Sequence, residues 1–199
     1  RRVLFRSAAS PTPEAPTGQT VALDGLTPTT TFSTLYKKKW TANSYNGNFS
    51  IHGRMYESGI GMFVKSADIS DTQGSVTATY TLDGHYTQFA FDLGADDKWS
   101  TGGEASHGTF KLEIYLDEAT DPVYNSDFQN NAYDAQDQTV DVTGATTMRI
   151  KLTEKKGTDG TLNVVLGDAA LTTAPGYTPP ASADPSASPT TAPSPTPAP

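Results

Sequence analysis

Two tryptophans, Trp40 and Trp99, stand among polar neighbours rather than inside apolar strands, with Thr41 beside the first and Lys98 and Ser100 flanking the second. An indole in such a setting can cover the apolar face of a sugar ring while amide, carboxylate, guanidinium or imidazole groups bond the hydroxyls. It can equally fold over the end of a core as a plug. Tyr56 offers a further ring, and His107, Asn125 and Asn163 offer polar partners. Trp40, Tyr56, Trp99, His107, Asn125 and Asn163 are therefore the candidate ligand contacts.

Hard cations need several oxygen ligands, and the long connections are crowded with carboxylates. Asp68, Asp71, Asp96, Asp97 and Asp121 are candidate ligands for a calcium ion tying one or more loops, with Asn125 and backbone carbonyls completing the shell. Their spacing matches no EF-hand, and the same residues serve equally as turn formers and solubilising charge. Catalysis has less to draw on. His52, His85 and His107 are far apart, without His-x-x-x-His or His-Glu-x-x-His spacing, and accidental carboxylate pairs are unavoidable among 22 acids. No catalytic residue is expected, and a glycosidase-like carboxylate pair is the least remote form an enzyme would take. The absence of cysteine excludes disulfides, thiolate catalysis and cysteine-held metals.

These residues need a frame. Nine of the 14 prolines lie between Pro175 and Pro199, and three more at Pro11, Pro13 and Pro16, so the 199-residue chain divides into three. Residues 1–16 read as a disordered segment, 17–174 as one folded body, and 175–199 as an extended Pro/Ser/Thr/Ala-rich linker or tail. A body of that length buries enough surface to fold without covalent staples. The chain carries a formal charge of -8, and the body, with 11 bases and 20 acids, carries -9. That balance repels nucleic-acid phosphates, and the one basic run, Lys37 to Lys39, reads as a solvated face. No apolar stretch is long enough to span a bilayer, and the interrupted Arg1 to Arg6 start is too short for a signal-peptide core. An export signal and any neighbouring domain would then lie beyond these ends.

The body is written in period two. Val76, Ala78, Tyr80 and Leu82 alternate with Ser75, Thr77, Thr79 and Thr81, and Asp83-Gly84 then predicts a tight hairpin into Phe89, Phe91 and Leu93. Phe110 to Leu116, Val140 to Val142, Met148 to Leu152 and Leu162 to Leu166 repeat the alternation, and weaker segments lie near residues 31–36, 49–52 and 60–64. One turn of helix is expected at residues 134–138. Residues 37–48, 65–74, 96–108 and 117–138 read as long connections, where function should sit. The fold class is all-β, an antiparallel sandwich of jelly-roll kind with disordered proline-rich flanks.

Several segments in fixed order also resemble a known family. They are Met55-Tyr56-Glu57-Ser58-Gly59-Ile60-Gly61, then Ala78 to Phe89, Asp92-Leu93-Gly94-Ala95-Asp96-Asp97, Phe110 to Tyr115 and Val140 to Ala145. Together, over roughly Thr30 to Thr172, they are similar to the bacterial NPCBM/NEW2 family of carbohydrate-binding modules, β-sandwiches attached to glycosidases and cell-surface proteins. The resemblance implies a non-catalytic module at the cell surface or outside the cell, covalently linked to further domains such as a glycoside hydrolase, with glycan or surface polysaccharide as partner. Where typical members follow Gly-Ile-Gly with a small residue or Thr and then His, this chain has Met62-Phe63. Where they carry an Asp-His and later Trp stretch, it has Leu162-Asn163-Val164-Val165-Leu166. Apolar groups thus replace polar and aromatic ones. Either the ligand differs, or the sandwich serves as a structural or protein-binding surface module without a sugar site.

Overall fold

The computed structural model describes residues 18–42, 45–69, 73–98, 108–130, 132, 134–158 and 161–179. In chain order its strands are β1 (Thr20–Ala22), β2 (Leu35–Lys37), β3 (Lys39–Ala42), β4 (Tyr45–Ile51), β5 (Arg54–Tyr56), β6 (Gly59–Met62) and β7 (Gln73–Thr81). There follow β8 (Tyr86–Ala95), β9 (Thr109–Leu116), β10 (Tyr124–Asn125), β11 (Gln136–Asp141), β12 (Thr147–Lys155) and β13 (Val164–Thr173). All pairings are antiparallel. A central sheet runs β11-β8-β13-β6-β2 with β1 added to β13, a second sheet runs β10-β9-β12-β7, and a small third runs β3-β4-β5.

The alternation seen in the sequence explains the first two layers. Ala78, Tyr80 and Leu82 of β7 and its end, Phe110, Leu112 and Ile114 of β9, and Met148, Ile150 and Leu152 of β12 are buried. They meet Phe89, Phe91 and Leu93 of β8 and Val164, Leu166 and Leu171 of β13 in one core. Their polar neighbours face outward, as a period of two requires.

Three expectations change. Asp83 (φ 51°) and Gly84 (φ 70°) adopt the tight-turn backbone, yet the turn makes no hairpin. β7 instead pairs with β12 along its whole length, while β8 pairs with β11 and β13 in the opposite sheet. The reason is burial: Phe91 to Asp96 are buried on both faces, which only an interior strand with layers above and below can satisfy. Residues 136–138 belong to β11 rather than to a helical turn. Finally, the connection expected at residues 37–48 is the β3–β4 hairpin, with Lys39 opposite Asn48 and Ala42 opposite Tyr45. Contacts also continue past Ala174, because Tyr177 stacks on His85 with ring centroids 3.9 Å apart.

The third layer rests on glycine. Gly61, Gly94 and Gly167 come from three adjacent strands and point to the same outer face, where β13 brings Val165 between Gly61 and Gly94. A Cβ on Gly61 would lie 2.6 Å from the Phe49 ring and 2.7 Å from Trp40, and one on Gly94 would lie 2.4 Å from Ile51. The bare backbone lets Trp40, Phe49, Ile51 and Tyr56 settle on Val165 as a second core.

At the sandwich end Glu154 points inward and is fully buried. One carboxyl oxygen accepts from the Val64 N–H at 3.3 Å, and the other has no partner. Burial raises its pKa well above the ordinary value of 4.5, against weaker pulls from Val64 and Thr161. The folded protein therefore binds this proton more tightly than the unfolded chain, and Glu154 makes stability fall as pH rises from about 4.5 through the raised folded value. Asp96 is raised in the same direction. Glu154→Gln is expected to flatten, though not abolish, the decline in urea midpoint between weakly acidic and neutral pH. An unchanged slope would show that Glu154 is not the group responsible.

Candidate functional site

The outer face of the central sheet is a grid. Gly59, Gly167 and Asp92 form one row, and Gly61, Val165 and Gly94 the next. Met62 pairs with Val164, and the Asp96 N–H bonds the Asn163 carbonyl at 2.7 Å, so Phe63, Asn163 and Asp96 make a third row. The β3–β5 layer covers the middle. What remains for a ligand is the two ends.

At the Phe63 end, Phe63 and Tyr36 are half-buried and stack with an interplanar angle of 11°. Trp40 lies beneath them, its ring 5.3 Å from Tyr36 and 6.5 Å from Phe63. Its Nε1–H donates to Asp96 Oδ2 at 2.9 Å, and the same oxygen accepts from the Ser50 N–H at 3.1 Å. The other oxygen accepts from the Lys98 N–H at 3.1 Å. Burial pushes the Asp96 pKa up, and these three donors pull it back. Asp97 accepts from the Gly53 N–H at 2.8 Å. The half-buried Asn163 side chain completes an edge of two aromatic rings and one amide, a combination able to stack on a sugar and bond its hydroxyls.

At the opposite end the Tyr56 hydroxyl donates to Asp92 Oδ2 at 3.0 Å. Arg54 pairs with the same oxygen at 2.5 Å, reaches Asp168 at 3.6 Å and lies 4.9 Å over the Tyr56 ring. Burial and the Asp92 charge raise the Tyr56 phenol, holding it as a donor. A groove of about 230 Å³ opens beside Arg54, Asp92, Asp137 and Asp168.

A model of the NPCBM/NEW2 domain matches residues 19–172, and this match spans most of the chain. The chain belongs to the NPCBM/NEW2 domain family. No curated protein sequence matches it. Among solved structures it is similar to a CBM51 of a GH95 protein of Clostridium perfringens in complex with methyl-galactose. There the TM-score is 0.56 at 21% identity, covering 77% of this chain and 99% of that one. It is also similar to the C. perfringens ZmpB structure holding CBM51-2 with GlcNAc and INT domains, with a TM-score of 0.58, 18% identity, and 78% and 32% of the two chains covered. For the ZmpB M60 catalytic domain with CBM51-1 and CBM51-2, the values are 0.57 and 18%, with 79% of this chain covered but only 16% of that one. The chain thus spans a small part of the ZmpB structures. At these identities the likeness establishes the β-sandwich and leaves the ligand to the residues.

For this NPCBM/NEW2 domain, the structure sorts the residues chosen from sequence. Trp40, Asp96, Asp97 and Asn163 come together at one end. Trp40 and Tyr56, however, are each only 1% exposed, which corrects their choice as stacking faces. Both rings are used in packing, because the flat glycine platform draws them in. Asn125 is exposed on β10 in the other sheet and accepts from the Asp127 N–H at 3.0 Å, away from the candidate edge. Trp99, His107 and Asp71 lie outside the described residues. Asp68 and Asp121 are exposed, and among the described residues no three His, Asp or Glu side chains converge as a cation would require. Asp96 has its oxygens taken by protein donors instead. Sequence reasoning missed Tyr36 as part of the edge, and noted Phe63 only as a departure from the family pattern. Tyr36 precedes the Lys-Lys-Lys run and Phe63 follows the Gly-Ile-Gly segment, and only the β2–β6 pairing makes the two rings neighbours.

Proposed function

We propose that this chain is a non-catalytic glycan-binding module of an exported bacterial protein and that it contacts sugar at the Phe63–Asn163 edge. Family membership supports the glycan reading. The observation that carries the choice of edge is the half-exposed Tyr36–Phe63 stack beside the Asn163 amide, just beyond the area that Trp40 covers. The two rings supply area and orientation, and the amide supplies discrimination among hydroxyls. Trp99 and His107 remain candidate contacts on sequence grounds. Residues 17–174 are the module, Tyr177 packs on it through His85, and the rest of 175–199 tethers it to neighbouring domains or a wall. No helix among the described residues is long and apolar enough to cross a membrane.

Galactose and N-acetylglucosamine, the sugars of the two liganded CBM51 structures, are the first probes. Calorimetric titration is expected to show millimolar or tighter binding of at least one glycan. Asn163→Ala or Phe63→Ala is expected to weaken it by about fivefold to tenfold, the worth of one hydrogen bond or stacking contact. A second reading, a structural or protein-binding surface module, draws on the burial of Trp40 and Tyr56. A broad glycan array without a single binder would favour it.

A further inference from the structure

The outward positions of β7, β9 and β12 carry an unusual charge for so acidic a chain. Lys111, Arg149, Lys151 and Lys155 face outward there, against Glu113 as the strand acid, in a protein of formal charge -8. The register sets Arg149 between Tyr115 and Thr79, and Lys151 between Glu113 and Thr77. Glu113 is shared: Lys111 holds it at 2.9 Å and Lys151 at 3.5 Å, so the pair of lysines exceeds the charge that one carboxylate can neutralise.

Arg149 is fixed on two sides. Its guanidinium lies 5.1 Å over the Tyr115 ring, and Nη2 donates to the Ala119 carbonyl at 2.7 Å. Its Nε is buried without a partner. The loop it holds is anchored again by Asp117, in the left-handed region at φ 50°, whose carboxylate accepts from the Thr146 and Thr147 N–H groups at 2.8 and 2.9 Å. That loop walls a groove of about 430 Å³ in which Arg149, Lys151 and Thr77 face Glu118 and Thr120.

We propose that this groove is a second glycan-binding surface, selective for a pyranose bearing a carboxylate, whose acid group is taken by Lys151 and Arg149. It goes beyond the edge described above and does not depend on it. Charge complementarity decides the class of occupant: Arg149 and Lys151 line the groove against Glu118, and Lys111 shares the neutralisation of Glu113 with Lys151, so the local balance is cationic on an otherwise anionic protein and favours acids over neutral sugars. The groove has the volume of a small-molecule site, with room for a sugar ring around the acid group. Thr77, Thr120 and Glu118 match the donors and acceptors of a sugar's hydroxyls.

The test uses the full chain and titrates it with tri-galacturonate, with its methyl ester, and with sialyllactose beside lactose. At least one acid is expected to bind about tenfold more tightly than its neutral counterpart, and added salt should weaken it. Which acid binds shows whether the carboxylate belongs to a uronate or a sialate. Lys151→Gln, which leaves the Arg149 contacts in place, is expected to cost about tenfold for the acid, while Asn163→Ala and Lys65→Gln, the latter at an exposed lysine outside the groove lining, change it little. Equal binding of acid and ester, no binding of either acid, or a Lys151→Gln variant that binds like the unaltered chain would overturn the proposal. Loss of binding in Asn163→Ala alone would instead place the acid at the other edge.

Discussion

Trp40→Ala is expected to cost about 4 kcal/mol of folding stability, the range for emptying a fully buried aromatic site. Trp40 is 1% exposed, meets Phe49 edge-on at 5.1 Å and ties the small β3-β4-β5 sheet to the central one. Its removal opens a cavity over Gly61 and takes one of the three donors from buried Asp96. The carboxylate would then be less well satisfied, which adds to the packing loss. For a domain of this size the melting temperature should fall by roughly 10 °C. Trp40→Phe should lose less, about 1–2 kcal/mol, because most of the volume stays and the indole N–H goes. If the alanine variant melted within a degree or two of the unaltered chain, the third layer could not be part of the cooperative core.

Gly167→Ala should be nearly as damaging, at about 3 kcal/mol, although it adds a single methyl group. That carbon would lie 2.3 to 2.6 Å from three carbons of the Tyr56 ring. The ring cannot swing aside cheaply, because its hydroxyl bonds Asp92 at 3.0 Å and Arg54 covers it at 4.9 Å. Gly25→Ala, where nothing lies within 4 Å of the added carbon, is the control and should shift the melting midpoint little. A second control is the pair Gly167→Ala with Tyr56→Leu. Residues in contact couple, so the double variant should be more stable than the sum of the two single losses allows. Strict additivity would mean that the clash is not with Tyr56.

Both expectations rest on the same construction, a platform of glycines that turns would-be surface aromatics into core. This bears directly on ligand binding. Trp40 looks available in sequence because Lys39 and Thr41 flank it, and both it and Tyr56 are withdrawn because glycines on three adjacent strands leave room for the rings around Val165. The edge at Tyr36, Phe63 and Asn163 takes over the stacking role in the proposed site. Met62-Phe63, which departs from the family pattern, is thus placed where an aromatic ring can still meet a sugar.

Much of the architecture was legible from periodicity. The inward sets on β7, β8, β9 and β12 follow from strict alternation, which leaves a strand only one way to bury its apolar face. The turn at Asp83-Gly84 was legible as a turn from the backbone those residues tolerate. That it joins two sheets was not, because a turn's local conformation does not choose the partners of its flanking strands. The outward bases of β9 and β12 could be read residue by residue. Their meeting across the sheet follows only from the register of Arg149 with Tyr115 and of Lys151 with Glu113.

By itself, the sequence determined an all-β body, its inward faces, its acidic balance and a family resemblance carried by ordered motifs. These are properties of local pattern and composition. Only the tertiary structure decided which aromatic rings remain in reach of solvent, which acids are already satisfied by protein donors, and where cations gather on an anionic chain. Each of those depends on residues distant in sequence, from Gly61 to Gly167 and from Lys111 to Lys151, that strand pairing brings onto one face. Burial and charge density are set by such neighbours, and no window of sequence contains them.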